Sequence, residues 1–213
     1  MKENDIVKRL IDKYPELAVC KGDIERAAEA LIACYSGGGK LLACGNGGSS
    51  ADSDHIVGEL MKGFMSRRPL SSEARERFAA MYPDEGEYLA EHLQGALPAI
   101  SLSGSASLTS AFGNDVAPDM IYAQQVFGYG GKGDVLLGIS TSGNSANVIR
   151  ALQTAKVQGL TTIGLTGRSG GRMAELCDIA IRVPWDSTPD VQERHLPVYH
   201  TLCVVVEQHF FGH

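Results

Sequence analysis

The chain has 213 residues, 44% hydrophobic and 21% charged, with a net charge of −6. Those figures suffice for one α/β domain with its own core. The acidic balance argues against nucleic acid, whose phosphate backbone requires a basic face. No apolar run approaches the roughly 20 residues that cross a bilayer. The polar start Met1-Lys2-Glu3-Asn4-Asp5 lacks a signal-peptide core, so a cytoplasmic protein without membrane contact is expected. Five scattered cysteines (Cys20, Cys34, Cys44, Cys177, Cys203) include no CxxC. They suggest buried thiols rather than a disulfide framework or a thiolate zinc site.

In chain order, residues 1–36 carry apolar positions at helical spacing, with a long helix over 24–36. They are expected to pack on a partner subunit. Short apolar runs at 40–44, 98–102, 134–139, 161–165 and 179–183 are too brief for helices and read as buried strands. Helical patterns follow at 51–64, 108–127, 146–158 and 171–176, and a last helix ends near His209. The alternation implies an α/β fold, a five-stranded parallel sheet with helices on both faces, forming one domain over 1–213. The charged stretch 65–97 is far longer than the usual connection of about 2–6 residues. It reads as a helical insertion, with Asp84 and Glu87 spaced like a helix start.

Two glycine/serine-rich loops each follow a strand and open a helix: Gly45-Asn46-Gly47-Gly48-Ser49-Ser50 and Ser140-Thr141-Ser142-Gly143-Asn144-Ser145. That arrangement turns backbone N–H groups and hydroxyls toward one spot that prefers an anion. Neither loop is a Walker A sequence, because no Gly-Lys-Ser/Thr follows, and Ser50 stands where a dinucleotide fingerprint needs its third glycine. A phosphorylated small molecule is the ligand class this implies. His55 and Glu59 lie four apart on the helix leaving the first loop, so they share a face. Gln192, His195 and His200 open the last helix. Gln192 and His200 are offset by roughly 80° on an ideal helix, and Pro197 lies between them.

The runs at 44–59, Asn114-Asp115, 134–147, Leu165-Thr166-Gly167 and Gln192-Glu193 followed by His200 resemble the SIS (sugar isomerase) domain. They are most similar to the phosphoheptose isomerases, over roughly 24–208 excluding the insertion. The resemblance implies a flavodoxin-like three-layer fold with extra N-terminal helices. It implies conversion of sedoheptulose 7-phosphate to D-glycero-D-manno-heptose 7-phosphate by enediol proton transfer. By it, Asn46, Gly47, Gly48, Ser49, Asn114 and Asp115 line the sugar site, and Ser140, Thr141, Ser142 and Ser145 hold the phosphate. His55, Glu59, Gln192 and His200 would bind one zinc ion per subunit, with Glu59 and Gln192 also on the substrate. Glu59 and His200 are the implied acid/base pair, with His200 at carbon and Glu59 as acid or the reverse. A homotetramer with sites between subunits is also implied. Two departures stand out: Gly63-Phe64, with Lys62 before it, occupies the place of the family's Arg-aromatic pair, and 66–96 is mostly extra. Some SIS proteins only bind sugar phosphates or proteins, such as the DnaA-associated initiator protein, which lacks the glutamate and the last histidine. Glu59 and His200 favour an enzyme, for this sugar phosphate or another.

Overall fold

The computed structural model describes residues 3–212. Helices α1 (Glu3–Lys13) and α2 (Lys21–Ser36) are joined by a 3-10 turn, Pro15–Cys20, and precede β1 (Leu41–Gly45) and α3 (Gly48–Met61). The insertion forms α4 (Ser72–Met81) and α5 (Gly86–His92). Then come β2 (Ala99–Ser101), α6 (Ala106–Asp115), α7 (Ile121–Tyr129), β3 (Val135–Ser140), α8 (Ala146–Val157), β4 (Thr161–Thr166), α9 (Gly171–Leu176), β5 (Ile179–Arg182) and α10 (Thr188–Phe211).

The sheet is wholly parallel in the order β2-β1-β3-β4-β5. Every residue of β1 and β3 is buried, which explains why these runs are continuously apolar. Successive side chains go to opposite faces. Leu41, Leu137 and Ile139 join a core built with α1, α2, α3 and α10. Leu42, Cys44 and Leu136 join a second core with α7, α8 and α9. The described cysteines carry no disulfide, and all but Cys177 are buried. Among the described residues no helix is long and apolar enough to cross a membrane.

Two expectations are corrected and a third is narrowed. The 108–127 stretch is two helices, because Pro118 has no N–H to continue the ladder and drives Ala117 to an extended φ of −161°. In the insertion, α5 starts at Gly86 after Glu85, not at Asp84. The turn closes through Gly86 N–H donating to Tyr82 O at 2.7 Å, while Ser71 caps α4 by accepting from Ala74 N. The apolar face of α1 (Ile6, Val7, Leu10) is buried in this chain's own core beside α10, so it is not a spare face for a partner.

Candidate active site

The sheet order reverses direction between β1 and β3, since the first crossover leads to β2 on one side and the next to β3 on the other. Ligands in open parallel sheets bind beyond the strand carboxyl ends at such a reversal. Both glycine loops emerge there. The first loop is tied to the start of α8, the helix that leaves the second, by a reciprocal amide pair: Asn46 Nδ2 donates to Asn147 Oδ1, and Asn147 Nδ2 to Asn46 Oδ1, each at 2.9 Å.

The second loop is a tight, hydroxyl-lined turn. Ser140 Oγ lies 2.9 Å from Ser145 Oγ, and Thr141 Oγ1 3.5 Å from Thr188 Oγ1 at the start of α10. Ser142 Oγ accepts from Asn144 N. Gly143 has φ +65°, and a Cβ there would collide with Gly170 O, so only glycine serves. The side chain of Ser145 makes no cap hydrogen bond to α8, and although Val148 N donates to Asn147 Oδ1, the Ala146 and Asn147 N–H groups are left for an incoming anion.

The first loop delivers α3 against α10. The Gln192 carboxamide rests on Gly48, where a Cβ would lie 2.6 Å from its Nε2; glycine permits that approach. Two turns along, His55 Nε2 is 3.1 Å from Glu59 Oε1 and 3.4 Å from His200 Nε2. The resemblance-derived residues His55, Glu59 and His200 thus meet at one point, and Gln192 joins α10 to the loop beside them. Pro197 does not separate Gln192 from His200, because α10 runs unbroken through it. Asn114 and Asp115 are exposed at the end of α6 and are bonded to each other, Nδ2 to Oδ1 at 2.9 Å. No hydrogen bond among the described residues joins their side chains to the loops.

Tyr199 and Asp52 escaped the sequence analysis, and Lys62 and Phe64 entered it only as departures from the family pattern. Tyr199 Oη lies 3.1 Å from His55 Nδ1 and donates to Asp52 Oδ1 at 3.2 Å. Asp52 precedes His55 by three residues on α3, which was its only available signal. Lys62 Nζ donates to Glu59 Oε2 at 3.0 Å. The Phe64 ring stands 5.2 Å from the His200 ring. Burial works to raise the Glu59 carboxyl, but the Lys62 hydrogen bond and charge, with those of His55, hold it below its ordinary range. Burial, then the His55 charge, lowers His200. Burial raises Asp52 against the pull of Tyr199 and His55. The site therefore pairs an ionised carboxylate with a neutral imidazole. Among the described residues no three His, Cys, Asp or Glu side chains stand as a ready-made metal cage.

Fold and site together define the SIS class, and the family model described as SIS domain matches residues 7–81 and 88–167. The phosphoheptose isomerase of Rhodospirillum rubrum is 41% identical over 196 residues, 92% of this chain and 90% of that protein. The solved phosphoheptose isomerase of Francisella tularensis superposes with a TM-score of 0.76 at 30% identity, covering 98% of this chain and 100% of that one. That of Neisseria gonorrhoeae gives 0.68 at 33%, covering 94% and 98%. The chain belongs to the SIS domain family and, within it, to the phosphoheptose isomerases.

Proposed function

We propose that this isomerase interconverts sedoheptulose 7-phosphate and D-glycero-D-manno-heptose 7-phosphate. We propose that it does so as a cytoplasmic homotetramer with one zinc ion per subunit. The observation that carries the reading is that His200 and Glu59 address the same nitrogen, His55 Nε2, at 3.4 and 3.1 Å. The hydroxyls of Ser140, Thr141, Ser142 and Ser145, with the α8 N-terminus, suit the substrate phosphate. Asn46, Gly47, Gly48, Ser49, Asn114 and Asp115 supply polar groups for the sugar, and Gln192, resting on Gly48, would serve both sugar and metal. Anchoring the phosphate fixes the distant carbonyl end against the catalytic pair.

The donor types of His55, Glu59, Gln192 and His200 suit zinc. With Tyr199 donating to Asp52, His55 Nδ1–H donates to Tyr199 Oη, which leaves Nε2 bare on the neutral ring. A bare nitrogen beside a carboxylate calls for a cation or a second proton. The 3.1 and 3.4 Å separations are near the ~3.4 Å edge of a tetrahedron with zinc bonds of ~2.0–2.1 Å. The Tyr199–Asp52 chain is the outer support that orients a ligating histidine. His55, Glu59, Gln192 and His200 would hold the ion, which supplies Lewis acidity at the substrate oxygens.

Glu59 is the base. The Lys62 ammonium, donating to Oε2 at 3.0 Å, keeps it ionised, so it can take the proton from the carbon beside the carbonyl and return it to the neighbouring carbon. His200, kept neutral by burial, exchanges protons with the oxygens as charge develops there. This assignment chooses the reverse of His200 at carbon. The test is aldose formation from a panel of ketose phosphates, with and without a chelator. Glu59→Gln and His200→Gln should each lower kcat by roughly 10²–10⁴-fold, and metal analysis should find one zinc per chain, lost in Glu59→Ala. Retained turnover in Glu59→Gln refutes the base assignment. Zinc-free protein that stays zinc-free on titration refutes the metal.

A further inference from the structure

The insertion enters and leaves the domain beside a buried ion pair that the reaction as described does not use. Arg68 is 0% exposed and Glu207 3%, with Arg68 Nε donating to Glu207 Oε1 at 2.8 Å. A fully buried guanidinium is retained only where its donors are satisfied. Here they reach backward. Nη1 donates to Leu60 O at 2.7 Å and Nη2 to Glu59 O at 3.1 Å. These are among the last carbonyls of α3, which has no intrahelical donor for them. The helix ends at Met61 with Lys62 extended, so no left-handed glycine closes it. Arg68 does that work from seven residues downstream, sharing Leu60 O with Leu97 N, which donates to it at 3.0 Å, and alone among the described side chains reaching Glu59 O.

Glu207 holds the other side. Its Oε1 accepts from Phe64 N at 2.8 Å and its Oε2 from Met65 N at 2.7 Å. Phe64 is the residue whose ring lies against His200. Glu207 itself sits seven residues beyond His200 on α10, about two turns away. The guanidinium is also backed by the Phe211 ring at 4.8 Å.

We infer that Arg68 and Glu207 form a clamp that positions both members of the acid/base pair, Glu59 through the backbone of α3 and His200 through Phe64. They are positioning residues, since neither touches the reacting groups. The inference rests on the isomerase reading above and adds to it a device that couples the insertion's neck to the catalytic geometry. Lysine cannot replace Arg68, because one ammonium cannot direct planar donors at a carboxylate and two carbonyls together.

The test separates positioning from stability. Arg68→Met/Glu207→Leu leaves the Glu59 carbonyl and the Phe64 and Met65 N–H groups without these partners, so it should melt below the wild type. Assayed well below its melting point, it should show kcat at least tenfold lower. KM should stay within about threefold, because the phosphate loop is untouched. A folded double variant with wild-type kcat overturns the clamp. Glu207→Gln serves if the double variant does not fold. It keeps the shape, should lower kcat with little change in KM, and should speed amide exchange at Phe64 and Met65. Wild-type kcat together with unchanged exchange in that variant also overturns it. A wild-type enzyme that isomerises no heptulose phosphate refutes the isomerase reading instead, and the exchange arm still decides the clamp.

Discussion

His195 is fully buried between Gln192 and His200 on α10, and neither ring nitrogen has a hydrogen-bond partner among the described residues. Burial pushes its pKa down to about 4, with the nearby Thr166 backbone opposing weakly. The unfolded chain takes up this proton as pH falls below about 6.5, whereas the folded chain waits until about 4. The folded pKa is depressed, so stability is lost between those values as the medium is acidified. The loss approaches on the order of 3 kcal/mol at the bottom of the window. His195→Met should match or exceed wild-type stability at pH 7. It should also shrink the fall in Tm between pH 7 and pH 5, measured side by side in chelator. An identical fall in both proteins would show that His195 is not the group responsible. At this scale the sequence exposed His55 and Glu59 and their i,i+4 spacing on α3. It could not show Lys62 turning back onto Glu59, or Tyr199 bridging Asp52 and His55, because those contacts depend on the angle at which α10 crosses α3.

The insertion is separable by construction. Helices α4 and α5 pack chiefly on each other, and no residue of α4 is buried among those described. The excursion has a stitched neck: Gly95 N donates to Arg68 O at 2.7 Å, and Gly63 N to Gln94 Oε1 at 2.6 Å. Replacing 71–93 with a three-residue glycine/serine linker should therefore leave a folded domain. Its Tm should lie within about 4 °C of wild type, the shift that roughly 1 kcal/mol produces at this size. Circular dichroism melts check it, and a chain that fails to fold would show that the hairpin props up the core. The helical character of this segment was legible in its own pattern, but its starts were not. Ser71 and Asp84 both look like caps in one dimension, and only Ser71 meets a free N–H. Strands β1 and β3 were legible because burial along their whole length left them apolar runs; β2 and β5, partly exposed at the sheet edges, were legible from short apolar runs bounded by turn residues. The break at Pro118 was hidden by apolar spacing that continues across it.

As a single chain, the molecule leaves the proposed catalytic cluster wet. The His55 side chain is 42% exposed and that of Lys62 60%. Proton transfer at carbon gains from a site closed to water, and nothing within the described chain covers this one. Around it stand exposed apolar side chains that no isolated soluble chain needs: Met61 on α3, Met65 just beyond it, and Leu196 on α10 between Gln192 and His200. The occupant that fits is a second copy of the chain, laid over the cluster as part of the proposed tetramer. The apolar side of the N-terminal helix cannot provide this contact, since α1 already buries it internally. Light scattering at micromolar concentration should give four chains per particle. Leu196→Glu places a charge in that contact and should yield smaller particles with reduced turnover, while each subunit keeps its circular dichroism spectrum, because the wild-type side chain is 41% exposed in the lone chain. A wild-type monomer that isomerises at full rate would show that one subunit excludes water unaided, and the covering copy would then have no role.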